Sequence, residues 1–261
     1  MRHLSLIIAG LALAVAAVAA APASAAEAKS KCGAPHGETR LYHALPNLSV
    51  LLRSHQRIKI IAIGSSSTAG AGASAPSASY PARLEAELRA HFPGDAIEVI
   101  NRGVNGDTVE DMLARLDRDV IAEKPNLVLW QVGSNSILRD HPVLPEGGLL
   151  REGIRRIKKA GADIVLIDPQ FSPKIIEKRD APEMVELIDA TARDTNVGVF
   201  HRFAIMRHWH QRDAMPFDAF VTPDGIHMND WGYGCWAKLL GLALAEAATR
   251  PTASANAAPV R

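Results

Sequence analysis

Apolar and polar positions come in alternating blocks along the middle of this chain, and the blocks predict its elements. An apolar run from Ile58 to Ile63, interrupted by Lys59, stops at Gly64. Such a run, bounded by glycine, predicts a buried strand of a parallel sheet over 57–63. Similar runs predict strands over 96–100, 126–132 and 163–169, and a shorter one over 197–201. Helical spacing fills the gaps. In 79–92, Leu84 and Leu88 lie one turn apart, with Pro81 near the start and Pro93-Gly94 at the end. Thr108 or Asp107 can cap a helix that carries Val109, Met112, Leu113 and Leu116 on one face and is broken by Pro125. A helix over 146–160 places Leu149, Leu150, Ile154 and Ile157 inward and its Arg and Lys side chains on a solvated face, and Gly161 closes it. Another helix spans 182–194, and the last runs from Trp231 to about Ala247 with Asp230 as its cap.

Two stretches resist this reading. Residues 27–56 are weakly periodic and predict a leader lying on the domain surface. Residues 202–224 are mixed; Arg207–Phe220 is expected as a surface segment near a cleft entrance, with Trp209 and Phe217 partly buried. Trp130, inside a strand, is expected in the core. The β-then-α alternation predicts an α/β fold: a doubly wound, flavodoxin-like parallel five-stranded sheet with helices on both faces. Three polar, glycine-bearing segments follow three successive strands, so they gather on one edge of the sheet, where open α/β folds place their ligands.

The ends differ in composition from the middle. Met1–Ala26 has Arg2, an apolar Leu4–Ala20 run and an Ala23-Ser24-Ala25 cleavage pattern, which predicts a signal peptide and a periplasmic or secreted protein. The alternative is an uncleaved anchor, the one route by which membrane contact enters. Arg250–Arg261 is small, polar and proline-containing, and a disordered tail is expected there. One globular domain remains over 57–249. The net charge of +1 with 22% charged residues implicates neither nucleic acid nor an acidic membrane surface. The protein is expected to be a monomer. The two cysteines, Cys32 and Cys235, can form a staple in an oxidising compartment or stay as two thiols.

Chemistry concentrates at the sheet edge. The first strand supplies Gly64-Ser65-Ser66, the second Asn101 to Gly106, the third Gly133-Ser134-Asn135, and Asp224-Gly225-Ile226-His227 precedes the last helix. Acyl transfer needs a nucleophile, a base, a group that orients the base and donors for an oxyanion. Ser66, His227 and Asp224 can fill the first three roles, and Ser66 N–H, Gly106 N–H and the Asn135 amide the fourth. A rival reading makes GSSSTAG a phosphate-binding loop, but it leaves Asp224 and His227 without work. His201, His208 and His210 invite a metal reading. No cysteine or acid stands at ligand-like spacing with them, so no metal and no cofactor is expected.

Taken together the four segments resemble the ordered blocks of the SGNH, or GDSL-type, hydrolase superfamily. Gly64-Ser65-Ser66-Ser67-Thr68 resembles the first block, Gly106 in its Gly-Asp-Thr context the second, Gly133-Ser134-Asn135-Ser136 the third, and Asp224 with His227 the last. The resemblance covers roughly 57–245. It departs at Ser65 and Ser136, where the family's blocks carry an acid. It implies an exported serine esterase with a Ser66-His227-Asp224 triad, an acyl-enzyme, and an oxyanion hole of Ser66, Gly106 and Asn135. The ester's alcohol and acyl group are unspecified. A polysaccharide O-acetyltransferase or acetylesterase of the same fold is the first alternative, and a non-catalytic glycan-binding domain the second.

Overall fold

A computed structural model describes residues 32–250. The segment read as a signal peptide and all but Arg250 of the expected tail lie outside the described residues. The strands are β1 (Ile58–Gly64), β2 (Ile97–Gly103), β3 (Leu127–Gln131), β4 (Asp163–Ile167) and β5 (Gly198–Phe200). All pair in parallel in the order β2-β1-β3-β4-β5, the flavodoxin-like winding expected from the sequence. Parallel neighbours require crossovers, and helices supply them. The helices are α1 (His36–Thr39), α2 (Pro46–Arg53), α3 (Ser66–Ala69), α4 (Tyr80–His91), α5 (Val109–Asp119), α6 (Ser134–Leu138), α7 (Val143–Lys159), α8 (Pro173–Ile176), α9 (Ala181–Thr195), α10 (Arg202–Gln211) and α11 (Asp230–Thr249). Helix α11 packs on α4 and α2, while α7 packs on α5 and α9, so two helical layers cover the sheet.

Because both faces are covered, the central strands are apolar over most of their length. Ile60 to Ile63 and Leu127 to Trp130 are fully buried, and Trp130 lies in the core as expected. Helix α5 starts where the sequence placed it: Thr108 is the cap, its hydroxyl oxygen accepting the Asp111 N–H while the Asp111 carboxylate accepts the Thr108 N–H and hydroxyl, a capping box.

Three expectations are corrected. The 27–56 stretch is not a surface leader over its described part. Leu41, Leu45, Leu48 and Leu52 are buried, and α2 lays one face on the sheet. Residues 202–211 form a helix rather than an irregular surface segment. Its inner face buries Phe203, Ile205, Met206 and Trp209, so Trp209 is core rather than partly buried, while Phe217 keeps intermediate exposure. The cap of α11 is Asn229, whose side chain accepts the Gly232 N–H at 3.0 Å; Asp230 instead accepts the Ser74 N–H and hydroxyl. A staple forms between Cys32 and Cys235, with Cα atoms 5.3 Å apart, joining the start of the described chain to the last helix.

Candidate active site

The reversal of winding between β1 and β3 leaves a crevice at their carboxyl ends, and the sequence puts its polar segments there. After Gly64 the chain turns at once into α3, so Ser66 is its first helical residue and the earliest N–H groups have no partner within the helix. The turn fits because β2 ends in Gly103. A Cβ at that position would overlap the backbone of Thr68 and Ala69, so α3 rests directly on the end of the strand. Ser65, which departs from the resembled block, donates its N–H and hydroxyl to Gln131 Oε1 at 2.9 and 3.0 Å.

The loop after β2 makes a turn in which Asp107 N–H reaches Val104 O at 3.3 Å. Gly106 occupies the third position with φ +85°, as a type II turn requires. Three donors hold the loop. Arg139 donates to Gly106 O at 2.7 Å, Asn135 Nδ2 to Asp107 O at 2.8 Å, and Arg115 Nε to the Asp107 carboxylate at 2.7 Å. Arg115, itself buried, also donates to Gly64 O at 3.2 Å and to Asp119 at 3.0 Å, tying the Ser66 turn to the glycine loop. The Asn135 amide has a second N–H besides the one on Asp107. Ser136, the other departure, donates to Glu146 at 2.7 Å, and burial pushes that carboxyl above its usual range.

Opposite, residues 221–228 form a tight excursion closed by the Val221–Met228 bridge. His227 Nε2 lies 2.8 Å from Ser66 Oγ, and His227 Nδ1 lies 2.6 Å from Asp224 Oδ2. A carboxylate can only accept, so Nδ1 carries the proton and Nε2 is left to accept from the serine hydroxyl. Asp224 Oδ1 accepts the N–H groups of Ile226 and His227 and the hydroxyl of Thr222. Partial burial raises the Asp224 carboxyl, but the imidazole and these donors outweigh it and hold it well below the ordinary aspartate range. The site is open: the Asp224 side chain is 44% exposed and that of His227 18%.

The structure thus brings together Ser66, Asp224 and His227, and holds Asn135, near the start of α6, against the loop that carries Gly106 through its hydrogen bond to Asp107 O. The histidines weighed for a metal part company. His201 faces Asp168 and Asp189, His208 faces Asp213, and His210 stacks on Phe217 and contacts Met215 O. Sequence reading missed the buried polar groups beneath the site: Gln131, Ser134, Gln170 and Arg202. A polar residue inside an apolar strand, as at Gln131, was the signal present for one of them.

Fold and site define a member of the SGNH-type hydrolase superfamily. The chain belongs to the Non-GDSL lipase-like family, whose model matches residues 31–250. It is 36% identical over 124 residues to an acetylxylan esterase of Geobacillus stearothermophilus, covering 44% of this chain and 55% of that protein. It is 35% identical over 95 residues to an arylesterase of Vibrio mimicus, covering 36% and 46%. The chain therefore spans about half the length of these curated relatives. Among solved structures, a lipase/acylhydrolase from Enterococcus faecalis superposes with a TM-score of 0.62 at 27% identity, covering 72% of this chain and 95% of that one.

Proposed function

We propose that the protein is a serine esterase. The observation that carries this reading is the continuous relay from Asp224 through His227 to Ser66, at 2.6 and 2.8 Å. In the reaction, Ser66 Oγ bonds to the ester carbonyl carbon as its proton passes to His227 Nε2. The carbonyl oxygen becomes an oxyanion, for which the N–H groups of Ser66 and Gly106 and the free N–H of Asn135 are the donors. The carbon–alkoxide bond then breaks, and the leaving alcohol takes the proton from His227. Water, deprotonated by the same imidazole, attacks the acyl carbon; the bond to Ser66 Oγ breaks, His227 returns the proton to Oγ, and the acid leaves. Asp224 holds the imidazole in the working tautomer and stabilises its cation.

A small acyl group on a carbohydrate is the substrate class favoured by the acetylxylan esterase among the relatives. The open rim around Asp224 supports a bulky alcohol portion. Transfer of the acyl group to a sugar hydroxyl uses the same groups and differs only in the acceptor. Export to a periplasmic or external compartment is supported by the Cys32–Cys235 staple, which persists where the surroundings oxidise.

The test combines a fluorophosphonate probe with a chain-length series of aryl esters, with and without an added sugar acceptor. Ser66 should be the labelled residue. Ser66→Ala should lose roughly 10⁴- to 10⁶-fold in kcat. Labelling at Ser65 or Ser67, with full turnover in Ser66→Ala, would falsify the assignment.

A further inference from the structure

Beneath the catalytic crevice a line of buried polar side chains runs from the turn that carries Ser66 to the loop that carries His227. Ser65 N–H and Oγ–H and the Thr68 hydroxyl donate to Gln131 Oε1. Gln131 Nε2 donates to Ser134 Oγ at 3.4 Å, and Ser134 donates its hydroxyl to Gln170 Oε1 at 2.8 Å. Gln170 Nε2 donates to the Ile226 carbonyl at 3.2 Å, on the peptide that leads into His227. Every hydrogen bond in the line points the same way, so each polarises the next.

Neither glutamine can be turned around. A backbone N–H only donates, so the carbonyl end of Gln131 must face Ser65. Arg202, fully buried and a donor only, lies 2.9 Å from Gln170 Oε1 and also donates to Asp168 O at 3.1 Å. Its guanidinium lies over the Trp236 ring, and burial pushes its pKa down to about 10. The Gln170 amide therefore has its oxygen fixed toward Arg202 and its N–H groups turned toward the carbonyl of Ile226.

We propose that Gln170, acting through Ser134 and Gln131, is a positioning residue that keeps the His227 loop in register with the Ser66 turn. The role presupposes the serine chemistry proposed above. The loop needs such a tie because its other hydrogen bonds are mostly local or reach the surface helix α8, where Lys174 N–H bonds Gly225 O. A shift of the imidazole relative to Ser66 Oγ costs turnover without touching substrate binding.

The test uses the full chain with an aryl acetate and the fluorophosphonate probe. Gln170→Glu keeps the shape and an acceptor for Arg202 but removes the N–H given to Ile226. It should lower kcat roughly ten- to a hundredfold with KM unchanged, and slow Ser66 labelling by the same factor. Ser134→Ala, which breaks the line midway by deleting one hydroxyl, should lower kcat by less, and the double variant should cost no more than Gln170→Glu alone. Wild-type kcat in Gln170→Glu, additive losses, or a lowered Tm with normal kcat in the folded fraction would overturn the proposal. If Gln170→Glu does not fold, Ser134→Ala decides: an unchanged kcat rejects the line. An inert wild type, or an active Ser66→Ala, would instead reject the esterase reading itself.

Discussion

Ser66 and His227 meet at 2.8 Å, yet the two segments that carry them are built on opposite plans. The Ser66 turn is part of the sheet. Ser65, Ser67 and Thr68 are buried, Gly103 brings α3 onto β2, and Arg115 and Gln131 reach in from α5 and β3. The His227 loop is largely its own support. Asp224 stands half in solvent and accepts from Thr222, Ile226 and His227, all within three residues of it. Ser66 is thus placed by the whole fold, whereas His227 is placed by a short turn set against it. Damage on the first side should appear as lost stability, and damage on the second as lost rate.

The largest effect should come from Asp224→Asn. Its Oδ1 can still accept the Ile226 and His227 N–H groups, so the turn survives, but an amide N–H now faces His227 Nδ1 and imposes the wrong tautomer. A loss of about 10⁴-fold in kcat is expected, with Tm lowered at neutral pH only by what the charged carboxylate contributes. The acid side sharpens the contrast. A carboxyl held low in the folded state adds stability at pH values above its unfolded pKa of about 4, and that contribution is shed as pH falls below it. The Tm difference between wild type and Asp224→Asn should therefore shrink on acidification below about pH 4. A difference that grows instead would show that the carboxylate is not held by these donors.

Next comes Arg115→Met, on the other side. It leaves Asp107 and Asp119 with their charges and without the buried guanidinium, and should cost about 3–5 kcal/mol of stability. Denaturant unfolding measures this, and the folded fraction should keep most of its turnover. A fall in kcat at unchanged stability would erase the distinction between the two sides.

Asn135→Ala should have the smallest effect of the three. Asn135 belongs to both plans, since one N–H props Asp107 O and the other is proposed for the oxyanion. A loss of about 2.7–4 kcal/mol of transition-state stabilisation is expected, seen in kcat rather than KM. A lowered Tm with near-normal kcat would make it a prop alone.

The two plans also explain what the sequence disclosed. Central strands buried on both faces leave long apolar runs, so β1, β3 and β4 were legible, as were the polar segments at their ends. The residues proposed to react were legible because each sits in a short run with its own pattern, Asp224 to His227 being contiguous. What failed has a common cause: polar residues that interrupt or stand within an inward apolar face. Arg202 at the start of α10 and the histidines around Trp209 hid an inward face of Phe203, Ile205, Met206 and Trp209. Pro46 and Asn47 likewise masked the 41-45-48-52 leucine spacing. Gln170 follows Asp168 and Pro169 in what reads as an ordinary loop. Its value lies in contacts with Ile226 and Arg202, more than thirty residues away in each case, which no local pattern encodes.

The bond between Cys32 and Cys235 has a consequence for timing. Residues 32–53 pack against and are tied to a helix that begins at Asp230, so what a ribosome makes early must wait for what it makes late. The same late helix is capped by Asn229, two residues after His227, and Asp230 fastens the loop that follows Ser66. Closing the molecule and setting His227 in place are then one event. A nascent or clipped chain that lacks the last helix keeps Ser66, Asp224 and His227, but it lacks Asp230 and the helix that Asn229 caps, so on the proposed reading the site is secured only when that helix folds.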